Sequence, residues 1–183
     1  KEYLETKERL EFLETQKKDL KDAMDSLKKT ISKIEGITKE MFFETFETVN
    51  NAFKRFTDML FKGGNGQLVY NHDSLGVDMF VQLPGKRIAR MEQLSGGEKA
   101  LISIAFLLSL MDTNPSPFSI LDEIDAPLDD SNIISLLEII KTIVHKTQII
   151  FITHNRLTME ASNTIYGVTM EEPGISKIVS VRL

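Results

Sequence analysis

The sequence contains no cysteine, which excludes disulfides and cysteine-ligated metal and suits a reducing cytosol. It has no apolar run approaching the roughly 18 to 20 residues that a membrane-spanning helix needs, so membrane insertion is not expected. A third absence bears on chemistry. The pattern GxxxxGK[ST] occurs nowhere, and with it go the lysine and hydroxyl that would hold the β- and γ-phosphates and Mg²⁺ in a phosphate-loop site. An excess of positive charge is missing too: the formal net charge of -5 argues against a generally basic nucleic-acid surface, while leaving room for a local basic patch. The chain opens at Lys1 within a helical pattern, with neither an initiator Met nor an apolar signal segment. We therefore expect a piece of a longer polypeptide.

What is present begins with a heptad. Tyr3, Leu10, Lys17, Met24 and Ile31 occupy one seam position, and Thr6, Leu13, Leu20, Leu27 and Ile34 the other. A sustained 3.5-residue repeat with charged flanks is the pattern of a coiled coil, whose slight underwinding keeps one apolar seam against a partner helix. At 1.5 Å per residue such an arm reaches on the order of 50 Å, and its partner strand is not in this sequence. Gly36 interrupts the heptad. From Ile37 the pattern resumes with Phe42, Phe43, Phe46, Val49, Phe53, Phe56 and Leu60, an aromatic stripe at helical spacing that reads as core packing rather than as a platform for stacking bases. The division expected is an arm over 1–35 and a globular part over 36–183.

The glycines of GGNG (63–66) mark a turn, and no lysine or hydroxyl follows them where a phosphate loop would need one. A hairpin is expected over 67–83, with Leu68 and Tyr70 in one strand and Val77, Met79, Val81 and Leu83 in the next, stopped by Pro84 and Gly85. Then come an apolar helix (98–111), a strand (118–121), a helix (131–145), a strand (148–153), a short helix near Leu157 and two terminal strands (164–170 and 176–183). Alternating strands and helices predict an α/β fold with a parallel sheet. The unalternating run Ile149, Ile150, Phe151, Ile152 predicts a strand buried on both faces. Other strands of that sheet lying elsewhere would leave this piece with an unpaired edge.

Two motifs carry the chemistry. In LSGGEKA (94–100), Ser95 followed by Glu98 is a helix-capping box. Gly96 and Gly97 would leave backbone amides uncovered at the positive end of the helix macrodipole, where a γ-phosphate can dock. In FSILDEIDAPLDD (118–130), an apolar strand delivers Asp122 and Glu123 to the carboxyl end of a sheet, the edge where open α/β folds bind ligands. Asp122 suits Mg²⁺ and Glu123 the general base for an attacking water. Asp125, Asp129 and Asp130 crowd the turn around Pro127, in part as a cap for the next helix. His154 ends the second strand, in FITHNR, which parallel topology puts on the same sheet edge as Asp122, within reach of a γ-phosphate. His72 and His145 have no such placement.

With these residues in view, the chain resembles the carboxy-terminal half of the ATPase head of structural-maintenance-of-chromosomes (SMC) proteins, the bacterial type above all. The resemblance runs from the heptad through TFETVNNAF, LFKGGNGQL, GVDMFVQLPGKR, LSGGEKALISIAFLL, PSPFSILDEIDAPLDD, FITHNR and YGVTM to SKIVSVRL. LSGGE alone is shared with ABC transporters, whereas DEIDAPLDD and an arm running into the head are more specific. The resemblance implies an ABC-type head lobe of the P-loop NTPase superfamily, the Walker B half, with an emerging coiled-coil helix. It implies that Ser95, Gly96 and Gly97 form the signature motif facing ATP on an opposite head, that Asp122 is the Walker B aspartate for Mg²⁺ and Glu123 the catalytic glutamate. It further implies that Asp125 to Asp129 form a D-loop and that His154 is the switch histidine. Ser119 is more polar than a strict Walker B strand calls for. ATP and Mg²⁺ would be the cofactors. Partners would be the amino-terminal half of the same head, a second and identical head, a kleisin subunit and DNA, in chromosome condensation and segregation at the cytoplasmic nucleoid.

Three other readings compete. A DNA-repair ATPase of the zinc-hook type shares the split plan. A non-catalytic coiled-coil interaction module would have no chemical reason to keep Asp122, Glu123 and His154. A transporter's nucleotide-binding subunit would leave the heptad unexplained.

Overall fold

A computed structural model describes residues 2–85 and 89–182. Lys1, the Lys86 and Arg87 of the GKR stretch, and the expected strand end at Leu183 lie outside them. The chain divides into two compact units, Lys1–Phe46 and Glu47–Leu183.

The first unit is helical throughout. Helix α1 (Glu2–Phe61) runs unbroken through Gly36, where a Cβ would meet nothing within 4 Å. The heptad break expected there is therefore one of side-chain pattern, not of backbone, and the second compact unit begins at Glu47. The apolar seam residues Leu10, Leu13, Leu20, Met24, Leu27, Ile31 and Ile34 are all exposed. Phe42 packs against Phe43 and Phe46 at ring-centroid distances of 5.3 and 6.0 Å.

In the second unit the end of α1 buries Val49, Ala52, Phe53, Phe56 and Leu60, one helical stripe. Phe53 meets Phe106 of helix α2 (Gly96–Thr113) edge to face at 6.2 Å. The aromatic stripe is thus core from Phe53 onward, while Phe42 remains exposed. Strands β1 (Asn65–Asn71) and β2 (Gly76–Gln82) form the expected antiparallel hairpin, and a short β3 (Ala89–Arg90), not foreseen, adds to β2. The Leu68 amide donates to the buried Asn50 Oδ1 at 2.9 Å, fastening the hairpin to α1. Two glycines of the GGNG stretch, Gly64 and Gly66, are required by packing. A Cβ on Gly66 would collide with Thr57 and Phe53, and one on Gly64 with Phe61.

Helix α2 buries Leu101, Ile102, Ile104, Ala105 and Leu108 but leaves Leu107 and Leu110 exposed, so it is not enclosed all round as its composition suggested. Strands β4 (Phe118–Asp122) and β5 (Gln148–Ile152) pair in parallel, Phe118 opposite Gln148 through Asp122 opposite Ile152. Helix α3 (Asp130–Ile143) makes the crossover that a parallel pair needs. The parallel sheet expected is, among the described residues, that single pair. Nor are its strands buried on both faces: Leu121 is buried, but Phe118 (58%), Ile120, Ile150 and Ile152 (52%) are open. After a short α4 (Arg156–Glu160), β6 (Thr164–Glu172) and β7 (Ile175–Arg182) form an antiparallel hairpin whose Tyr166, Val168, Ile178 and Val181 are also exposed. Among the described residues no helix is long and apolar enough to cross a membrane.

Candidate functional site

The site is built on the ends of β4 and β5. Because Asp122 and Ile152 are paired in register, the next residues of both strands emerge side by side at the carboxyl edge. The ladder reaches one step further, since the Glu123 amide donates to the Ile152 carbonyl at 2.8 Å. Glu123 itself has φ +47°, a left-handed conformation uncommon outside glycine and costing on the order of 1 to 3 kcal/mol. The chain turns sharply there and both carboxylates are exposed. Glu123 Oε1 lies 4.0 Å from His154 Nδ1, with the two side chains 62% and 79% exposed. The acid and the histidine chosen from sequence thus stand within ion-pair distance, near Asp122 on the same edge.

Two other expected residues are otherwise engaged. Asp125 is only 3% exposed, and its Oδ2 accepts hydroxyl hydrogen bonds from Thr153, at 2.6 Å, and Thr158. The resemblance implies a D-loop from Asp125 to Asp129, and the Asp125 carboxylate lies inside the chain, bonded to both threonines. Asp129 is the N-cap of α3, its Oδ1 accepting from the Asn132 amide at 2.9 Å. Sequence reasoning missed Thr153 and Thr158. Their sole signal is a hydroxyl on each side of the His154–Asn155 pair, which gives no hint of a bond to a residue before α3.

Ser95, Gly96 and Gly97 open α2. The capping box forms as expected: Glu98 Oε2 accepts from the Ser95 amide at 2.9 Å and its hydroxyl at 2.7 Å, and the Glu98 amide donates back to Ser95 Oγ. The two glycines differ from those of the hairpin. A Cβ on either would meet nothing within 4 Å, and neither has positive φ. Nothing among the described residues requires glycine at either position. An approach to the bare backbone from outside the chain would.

The exposed groups at the two motifs suit a phosphate and a hydrated cation. Among the described residues no three His, Cys, Asp or Glu side chains gather as a metal cage. One exposed carboxylate, Asp122, suits Mg²⁺, a hard ion that keeps several waters and takes further oxygens from phosphates. The open amides at the head of α2 suit a phosphate.

Comparison with known proteins gives the chain a family. A family model described as the RecF/RecN/SMC N terminal domain matches residues 5–177. The chain is 44% identical over 186 residues to the chromosome partition protein Smc of Myxococcus xanthus, covering all of this chain and 16% of that protein. It therefore spans about one sixth of that relative's length. An Smc head domain from Pyrococcus furiosus, with an extended coiled coil and bound to the C-terminal domain of ScpA, superposes with a TM-score of 0.80 at 34% identity, over 93% of this chain and 44% of that one. A chain from work on ATP-driven dimerization and DNA-stimulated activation of SMC ATPases gives a TM-score of 0.73 at 36% identity, over 78% of this chain and 89% of that one.

Proposed function

The chain belongs to the SMC family and forms part of its head region, and from that premise we propose that it is the carboxy-terminal half of an SMC ATPase head, acting in chromosome partitioning. The family description speaks of an N terminal domain. The carboxy-terminal assignment rests instead on the residues, since the signature turn and the Walker B strand are present and GxxxxGK[ST] is absent. The observation that carries the catalytic reading is the pairing of Glu123 with His154 at 4.0 Å on the edge where β4 and β5 end.

Each residue then has a task. Glu123 accepts a proton from water as that water attacks. His154, beside it, donates to a terminal phosphate oxygen. Asp122 would hold Mg²⁺ and the open amides of Gly96 and Gly97, with Ser95, would hold a phosphate, while bound Mg²⁺·ATP supplies the anhydride to be cleaved and its charge neutralisation. Asp125 and Asp129 shape the loop between β4 and α3 rather than reaching the nucleotide themselves. The lysine that grips the phosphates must come from the amino-terminal half, and the composite site from a second, identical head. The arm, 1–35 by heptad with its root extending to Phe46, would pair with a helix outside this sequence. A kleisin subunit is the further partner, by likeness to the ScpA-bound head, with DNA as the object and the cytoplasmic nucleoid as the place.

The test is Glu123→Gln in the full-length protein. Loss of the base lowers ATP turnover on the order of a hundredfold or more, while ATP still binds and engaged heads accumulate. Wild-type turnover in that variant contradicts the assignment.

A further inference from the structure

The side chains that fix the position of Glu123 differ from those that meet water. Past the last ladder bond, from the Glu123 amide to Ile152, the loops after β4 and β5 have, among the described residues, no further backbone pairing with each other at this edge. Side chains take over. Asp125 Oδ2 receives the hydroxyls of Thr153 and Thr158, and Thr153 Oγ1 in turn accepts from the Asn155 amide at 2.9 Å. Thr153 and Asn155 flank His154, so one hydroxyl ties the residues on both sides of the histidine to the loop that carries Glu123. Asn155 also caps α4, accepting from the Leu157 amide at 2.9 Å, and α4 presents Thr158.

We propose that Asp125, Thr153 and Thr158 form a buried latch that sets Glu123 against His154, and that these three are positioning residues for hydrolysis. Two observations point the same way. A buried acidic side chain is costly unless its acceptors are filled, and a filled network in a low-dielectric interior is rigid. The left-handed Glu123 backbone is a strained conformation that persists only where its surroundings over-determine it, and the latch begins two residues away. Rigid seating below leaves the exposed pair above it free to meet a substrate without being free to separate.

The proposal rests on Glu123 being the base, and the experiment separates the two. In the full-length protein, Thr153→Val lowers kcat on the order of tenfold to a hundredfold, the loss expected when a reacting group is displaced by about 1 Å, with KM for ATP and ATP-dependent head engagement unchanged. Thr153→Ser, which keeps the hydroxyl, restores kcat to within about twofold of wild type. In a Glu123→Gln background Thr153→Val adds no further loss, because the positioned group is already gone. Thr158→Val follows the same pattern and serves if Thr153→Val does not fold. The latch is overturned by wild-type kcat in both valine variants, by Thr153→Ser as impaired as Thr153→Val, or by losses that multiply with Glu123→Gln. Full turnover in Glu123→Gln alone removes the base assignment and the latch with it.

Discussion

At the scale of single residues, two glycine clusters that look alike in sequence do opposite things. Gly66 is glycine because Thr57 and Phe53 leave no room for a Cβ, whereas nothing within the chain approaches Gly97. Gly66→Ala is therefore expected to destabilise the fold by roughly 1 to 3 kcal/mol through overpacking, and Gly97→Ala to stay within about 0.5 kcal/mol of wild type. Urea denaturation of the two variants measures this. Gly97→Ala should instead abolish ATP-dependent head engagement by gel filtration of the full-length protein, and the reverse ranking in either assay contradicts the distinction. The missing lysine after GGNG was enough to discount it as a phosphate cradle, but the packing reason was not legible. The placement of Asp122, Glu123 and His154 at the ends of β4 and β5 was legible because strand ends are set by local apolar runs. The latch was not, because the partners of Asp125 lie 28 and 33 residues further along.

Among the elements, the joint of α1, α2 and α3 depends on one carboxylate. Asp112, near the end of α2, accepts from Arg55 of α1 at 2.6 Å and from Lys146, just past α3, at 2.7 Å. Burial pushes its pKa up, but the hydrogen bonds and charges of Lys146 and Arg55 outweigh that and hold it below the ordinary 3.8. A carboxylate whose pKa is depressed by folding stabilises the fold above its unfolded value and loses that contribution as pH falls through the lower, folded one. Both cations are about half exposed, so screening limits the effect. Asp112→Asn should cost about 1 kcal/mol at neutral pH, a cost that shrinks as the pH falls below 3.8 toward the lower, folded value. Thermal melts across pH 2 to 7 check this, and a constant difference down to pH 2 contradicts it. Helix and strand types followed from periodicity, and most ends fell within two residues. Three features escaped that reasoning. The two-residue β3 is too short to show a period, the backbone ignores the side-chain break at Gly36, and the apolar run of β5 described a strand whose second cover is not in this chain.

At the scale of the whole molecule, the exposed faces and the missing motif have one explanation. The open face of β4 and β5, the exposed hairpin of β6 and β7, the exposed heptad of α1 and the uncovered glycines of α2 are, on the proposed reading, the surfaces that meet the rest of the head, and the phosphate loop is the part the sequence lacks. An α/β class could be read from the residues because local apolar runs set the alternation of strand and helix, and the proposed split of the nucleotide site rests on motif and absence together. The extent of the open surface could not, since it depends on segments that contribute no residues here. The central claim is that this chain supplies the water-activating acid and a phosphate clamp but cannot hydrolyse ATP unaided. It is tested most directly by measuring ATP turnover of the purified chain alone and then mixed with the amino-terminal head segment, as a function of protein concentration. The expected result is no turnover alone and, in the mixture, a rate that rises more steeply than linearly with concentration. Turnover by the chain alone, proportional to its concentration, would contradict it.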